Sequence, residues 1–181
     1  QPLVHVYPDP EEIGRVYSPT LGVVASSAAF ATAIKQLEPK HRSRADYVKA
    51  AHADYLAFAE PTRSPGDVQL SQIVRGLSDR LPDDTIICNG AGNYAVWVHR
   101  FWRYRQFRTE LAPTSGSMGY GLPAAVAAKL QHPERTVVCF AGDGCFQMTG
   151  MEFMTAVENR LPLIVIVCNN GMYGTIRMHQ E

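Results

Sequence analysis

The stretch TVVCFAGDGCFQMTGMEFMTAVENRLPLIVIVCNN, residues 136–170, decides the fold. It runs from an apolar segment through Gly-Asp-Gly and a helical pattern to a second apolar segment and two asparagines. The segments TVVCF and LIVIVC are rich in β-branched residues and too short for helices, so strands buried on both faces are expected. A strand–helix–strand unit of this kind makes its strands parallel, with a right-handed crossover. Both strands then end at the same carboxyl edge of the sheet, where ligands bind in open α/β folds. Asp143 follows the first strand, expected at 136–141, and Asn169-Asn170 follow the second, at 162–168. An acid between two glycines has three readings: a metal ligand, a place where phosphate approaches the backbone, or a tight turn.

The same rhythm extends upstream. A helix is expected over DVQLSQIVRGLSDRL (67–81), then the strand TIICN, the glycine-rich turn GAGN and a helix through Tyr94 to about Trp102. After an arginine-rich connection, PTSGSMGYGLPAAVAAKL (113–130) reads as a glycine-rich entry into an alanine-rich helix. Strands alternating with helices argue for one parallel sheet flanked by helices. Residues 1–39 read as a strand (LVHVY), a Pro-Asp-Pro turn, a second strand (LGVV) and a helix (SAAFATAIKQL), too little to close a sheet. Residues 40–60 are expected to be helical, since Ala45, Val48, Ala51, Tyr55 and Phe58 recur at three- and four-residue intervals. EPTRSPGD (60–67) reads as a boundary loop. The domain reading is therefore 1–39, the end of a preceding domain; 40–67, a helical linker; and 68–181, the main α/β domain.

Charge and composition exclude several classes. Lys plus Arg and Asp plus Glu number 17 each, so no global field draws the chain to nucleic acid or membrane. The longest apolar run, at 161–168, is too short to span a bilayer. The opening QPLVHVYPDPEE lacks the basic and apolar regions of a signal peptide. Cysteines at 88, 139, 145 and 168 contain no C-x-x-C pair, which points to reduced thiols and a cytoplasmic setting. The six histidines contain no i,i+4 pair, so no histidine metal site is expected.

Hard oxygen donors do suit a different ion. Asp143 supplies a carboxylate, Asn170 an amide oxygen and the NNGMYG turn a carbonyl, a sparse set of the kind Mg²⁺ uses when phosphate and water complete its shell. Gly142 and Gly144 leave backbone N–H groups open to phosphate, and a helix expected to begin near Thr149 adds its dipole. Asn169-Asn170 has an alternative reading as a strand-terminating turn.

Gly-Asp-Gly, twenty-four residues and Asn-Asn together resemble the thiamine-diphosphate signature of the superfamily of acetolactate synthase, pyruvate decarboxylase and benzoylformate decarboxylase. TSGSMGYGLPAA (114–125) is similar to the segment that enters the pyrimidine pocket in those enzymes. The resemblance covers 68–181 as the pyrophosphate-binding domain, expected to be truncated, and 1–39 as the end of the central domain. It implies that Asp143, the Asn170 side-chain oxygen and the Met172 carbonyl bind Mg²⁺. It also implies that Gly142, Gly144 and Cys145 meet the diphosphate through backbone groups and that Tyr173 meets a phosphate. In CNGAGNY (88–94), Gly92, Asn93 and Tyr94 would lie over the diphosphate. The Gly116 carbonyl would accept from the pyrimidine amino group, and Met118 would sit beneath the thiazolium, imposing the bend that brings the amine to the reactive carbon. Met118 has an alternative reading as a core-filling methionine.

Two departures stand out. Cys145 occupies a position where many relatives carry serine. The activating glutamate of these enzymes belongs to a separate domain, usually of another subunit, and Glu110 and Glu152 lie outside the corresponding motif. No catalytic residue of this kind is therefore expected in the chain. The resemblance implies a thiamine-diphosphate- and Mg²⁺-dependent lyase or transferase acting on 2-oxo acids, as a homodimer or tetramer with shared sites. FRTELAPTSGSMG is closest to acetolactate-synthase-like sequences, and NNGMYG leans toward benzoylformate decarboxylase; a non-catalytic assembly domain is a further alternative. HRFWRYRQFR (99–108) has the composition of a nucleic-acid stacking surface, against which stands a helix end and loop packed on protein. No phosphate-binding P-loop motif is present.

Overall fold

The computed structural model describes residues 2–38 and 44–181. Two compact units are present, residues 1–49 and 50–181. In the first, strands β1 (Val4–Tyr7) and β2 (Leu21–Val24) pair in parallel, with Val4 opposite Leu21 and Tyr7 opposite Val24. The expected Pro-Asp-Pro turn is a single 3₁₀ turn, Pro10–Glu12, started by Asp9, whose Oδ1 accepts from the Glu11 N–H at 2.9 Å. Helix α1 (Ser27–Ile34) starts where Ser26 Oγ accepts from the Ala29 N–H at 3.2 Å. Helix α2 (Ala45–Phe58) contains the periodic apolar stripe, yet none of its residues is buried. Periodicity reported the helix correctly and said nothing of whether a partner covers its face. Residues 40–43, expected to begin this helix, lie outside the described residues.

The second unit is an α/β layer structure. Its elements are α3 (Leu70–Arg80), β3 (Ile86–Asn89), α4 (Asn93–Phe101), β4 (Glu110–Leu111), α5 (Gly121–Gln131), β5 (Val137–Gly142), α6 (Asp143–Thr149), α7 (Glu152–Glu158), β6 (Ile164–Cys168) and α8 (Gly174–Gln180). The sheet order is β4-β3-β5-β6 and every pairing is parallel. Side-chain alternation sorts the apolar strands into two cores. Ile86, Cys88, Val137, Cys139 and Ala141 pack with Leu122, Ala125 and Ala128 of α5. Ile87, Val138 and Phe140 face the other way, onto Val74, Val98, Phe101 and Trp102 of α3, α4 and the residue following it. Leu70, Val74, Leu77 and Leu81, spaced by three or four, supply the matching stripe.

Three expectations are corrected. β3 and β5 are buried throughout, but β6 is half-exposed, with Ile164 at 41% and Val167 at 43%, at an edge of the sheet where it pairs, among the described residues, with β5 alone. The helix expected near Thr149 is α7, which begins at Glu152, and a further helix, α6, precedes it from Asp143, so the Gly-Asp-Gly stretch is a strand-to-helix junction with no intervening loop. The arginine-rich connection contains β4, too short to carry an alternation pattern.

The aromatic–arginine segment is engaged within the chain. Arg100 lies over the Phe58 ring at 3.9 Å and donates to the Phe58 carbonyl at 2.7 Å. Arg103 pairs with Glu60 at 3.1 Å, and Arg105 with Asp83 at 3.3 Å and Asp79 at 3.5 Å. Two of the segment's four arginines, Arg103 and Arg105, are thus paired with carboxylates. Among the described residues, no helix is long and apolar enough to cross a membrane.

The start of α5 sets the tightest packing constraint. A Cβ on Gly121 would lie 2.9 Å from both the Asn89 carbonyl carbon and the Gly90 nitrogen, backbone atoms that cannot swing aside. Gly121→Ala should therefore lose about 1–3 kcal/mol to overpacking, more than alanine's helix preference of about 1 kcal/mol returns. Urea denaturation checks this; a variant as stable as wild type would show that the helix can back away.

Candidate functional site

The parallel register aligns the carboxyl ends of β5 and β6, with Gly142 opposite Cys168. The turns beyond β3 and β6 and the junction of β5 with α6 meet there in one cleft. Gly92, Asn93, Tyr94, Met118, Gly142, Asp143, Gly144, Cys145, Asn170, Met172 and Tyr173 all line it. Of the residues singled out in the sequence, Gly116 is absent from the lining: it sits at φ +69°, with open space where a Cβ would be.

The two halves of the motif touch. Asp143 Oδ2 accepts from the Gly171 N–H at 3.1 Å, joining the start of α6 to the turn after β6 across 28 positions. Asn169 Oδ1 accepts from the same N–H at 3.0 Å, and Asn170 Oδ1 from the Met172 N–H at 3.1 Å. The asparagines thus do shape a turn, and the Gly171 N–H within it is shared by Asn169 Oδ1 and Asp143 Oδ2. Position 143 also suits a carboxylate on general grounds, since the first turn of a helix carries partial positive charge.

Glycine at 144 leaves room for what packs over it. An added Cβ would lie 2.8 Å from Tyr173 Cε1 and 3.0 Å from Met118 Cε, so two side chains from opposite walls converge on this α-carbon. Met118 is held there by the following turn: Gly119, at φ +82°, accepts through its carbonyl from Thr149 Oγ1 at 2.8 Å. Thr175 of α8 also lines the cleft and donates through Oγ1 to Asn93 Oδ1 at 2.8 Å. The sequence reading missed Thr175, whose only signal was its place directly after NNGMYG. Glu110 and Glu152 are not in the lining. Glu110 Oε1 instead accepts from the Tyr104 hydroxyl at 2.7 Å, and His99 Nε2 lies 3.3 Å away.

Among the described residues, no group of three His, Cys, Asp or Glu side chains could hold a metal ion. A cation here would need a mixed oxygen set: one carboxylate, an amide oxygen, a backbone carbonyl and oxygens from a phosphate. That set fits Mg²⁺, which prefers oxygen and keeps positions for substrate phosphate and water. The narrow backbone at Gly142 and Gly144 fits an anionic group beside it.

The family model for the C-terminal TPP-binding domain of thiamine pyrophosphate enzymes matches residues 90–181. The chain belongs to this family. It is 32% identical over 189 residues to the acetolactate synthase large subunit of Corynebacterium glutamicum, covering 98% of this chain and 30% of that protein. The large subunit from Lactococcus lactis is 27% identical, over 99% of this chain and 32% of its own length. An acetolactate synthase of Mycobacterium bovis is 29% identical, with 99% and 30% covered. The chain spans about a third of the length of these relatives.

Two thiols, Cys168 and Cys139, are held protonated. Burial pushes Cys168, in the cleft wall, up to about 11 from its ordinary 9.0. Cys139, deeper, is pushed to about 12 by burial and then by the neighbouring Cys145 and Cys168. Because the thiolate is the reactive form, Cys168 should alkylate about a hundredfold more slowly than a free cysteine at pH 7.5 and quicken as pH rises toward 11. Mass-spectrometric labelling against pH measures this; a free-cysteine rate would show that the cleft does not disfavour the thiolate.

Proposed function

We propose that this chain is the diphosphate-binding part of a thiamine-diphosphate- and Mg²⁺-dependent enzyme that acts on 2-oxo acids, decarboxylating them and coupling the product to a second carbonyl as acetolactate synthases do by name. One observation carries the reading: the Asp143–Gly171 hydrogen bond, which joins the Gly-Asp-Gly and Asn-Asn turns into a single oxygen-lined edge. The acetolactate synthases among its relatives support the ligase-type outcome.

In this reading Asp143, Asn170 Oδ1 and the Met172 carbonyl hold the cation. Backbone N–H groups at Gly142, Gly144 and Cys145 face the diphosphate, with Gly92 and Asn93 closing over it and Tyr173 meeting a phosphate. The Gly116 carbonyl accepts from the pyrimidine amino group. Met118 fills the space beneath the thiazolium and keeps the two rings folded toward each other, an advantage of proximity set at binding. Thiamine diphosphate, when bound, supplies a carbon nucleophile for the 2-oxo acid carbonyl and accepts the electrons left as CO₂ departs. The activating carboxylate comes from another domain, across a homodimer or tetramer interface. The exposed apolar side chains Met148, Met151, Met154 and Val157 suit such a partner.

Calorimetry of the intact protein with thiamine diphosphate and Mg²⁺ tests binding, and product analysis with pyruvate against an aryl 2-oxo acid tests the reaction. Acetolactate from pyruvate is expected; free aldehyde from the aryl acid would favour a decarboxylase of the benzoylformate type, and no binding would leave an assembly role. Asp143→Ala, which removes the one carboxylate at the cation, should weaken Mg²⁺-dependent affinity at least about thirtyfold. Unchanged affinity would place the metal elsewhere. Met118→Ala should lower kcat about tenfold to a hundredfold with little change in cofactor affinity, and an unaltered kcat would return Met118 to a packing role.

A further inference from the structure

We propose that Tyr94 and Cys145 are positioning residues that lock the two glycine turns of the cleft together, and that cofactor affinity depends on this lock. The inference rests on the cofactor reading above. Tyr94, at the start of α4, accepts through its hydroxyl oxygen from the Gly90 N–H at 3.0 Å. The hydroxyl donates to Cys145 Sγ at 3.6 Å, and the Cys145 thiol donates to the Ala91 carbonyl at 3.0 Å. Donors and acceptors thus close a circuit, from the turn through α4 to α6 and back to the same turn.

The circuit spans 51 positions between tyrosine and cysteine and ties the 90–94 turn to α6 through side-chain hydrogen bonds. It accounts for two glycines that phosphate alone does not require. A Cβ on Gly90 would lie 3.1 Å from both Cys145 Sγ and Tyr94 Oη, and one on Gly142 would lie 3.0 Å from the Tyr94 ring. Both turns are bare where the Tyr94 side chain lies between them. Cys145 is buried at 3% exposure, and burial followed by the hydrogen bond to Cys145 pushes the Tyr94 hydroxyl well above its ordinary range, so the tyrosine keeps the proton it donates.

With its one proton given to Cys145, the Tyr94 hydroxyl has no donor left for a phosphate oxygen. Its role is to hold the Gly90 and Ala91 backbone in register with the start of α6, where Gly144 and Cys145 present their own N–H groups. One atom, Cys145 Sγ, thus meets both a hydroxyl at 3.6 Å and a carbonyl at 3.0 Å. This gives the cysteine at 145 a physical role that a backbone contact alone would not.

The test uses the intact protein and Tyr94→Phe, Cys145→Ala, the double variant and Cys145→Ser. Thiamine diphosphate affinity is measured with Mg²⁺ by calorimetry, and exchange of the Gly90 amide is followed without cofactor. Tyr94→Phe keeps the ring and removes only the hydroxyl, leaving the buried Gly90 N–H unpaired; affinity should fall about tenfold and amide exchange rise by a similar factor. Cys145→Ala should cost about as much, and the double variant no more than about twofold beyond either single one, because each breaks the same circuit. Cys145→Ser, which keeps a donor and an acceptor, should remain within about threefold of wild type. Wild-type protein that binds while Tyr94→Phe binds within twofold of it, or single effects that multiply in the double variant, would overturn the positioning role alone. Wild-type protein that fails to bind the diphosphate would overturn the cofactor reading, and this proposal with it.

Discussion

Parallel pairing of β5 with β6 is the constraint on which the rest depends. Because the strands run the same way, with Gly142 opposite Cys168, the chain leaves both at one edge. The Asp143 carboxylate can then reach the Gly171 amide although 28 positions separate them. An antiparallel arrangement would put these residues at opposite ends of the sheet. The register is stabilised from both faces, since β5 alone contributes Val137, Cys139 and Ala141 to one core and Val138 and Phe140 to the other. A one-residue slip would exchange those sets and move the acid off its partner.

Glycine in this cleft makes room for protein as much as for ligand. Gly144 admits Met118 and Tyr173, Gly142 and Gly90 admit Tyr94, and Gly121 admits the backbone at the end of β3. The glycine-rich motifs therefore mark places where three walls approach within van der Waals distance. A phosphate-binding surface follows from the same geometry, because backbone N–H groups at such places carry no shielding side chain.

How much of this was legible depended on how local each cause is. The β5–α–β6 unit could be read because Val/Ile runs and a helix-length interval are local signals, and the shared edge followed from handedness. Helix α6 was missed because Asp143 looks like a turn residue, whereas at a strand end it also serves as the first residue of a helix. β4 has only two residues and exists through its pairing with β3, so no window of sequence could show it. The half-exposure of β6 and the bare stripe of α2 depend on neighbours, which an apolar pattern does not name. The Thr175–Asn93 and Tyr94–Cys145 links join residues 82 and 51 positions apart through ordinary polar groups. Their individual residues could be listed from motifs, but their pairing could not.

A crystal structure of the intact protein grown with thiamine diphosphate and Mn²⁺ in place of Mg²⁺ tests the oxygen-lined edge most directly, since manganese can be located by its anomalous scattering. One peak is predicted within bonding distance of an Asp143 carboxylate oxygen, Asn170 Oδ1 and the Met172 carbonyl, with diphosphate oxygens completing the shell. A metal and diphosphate found elsewhere, with Asp143 still bound only to the Gly171 amide, would contradict it.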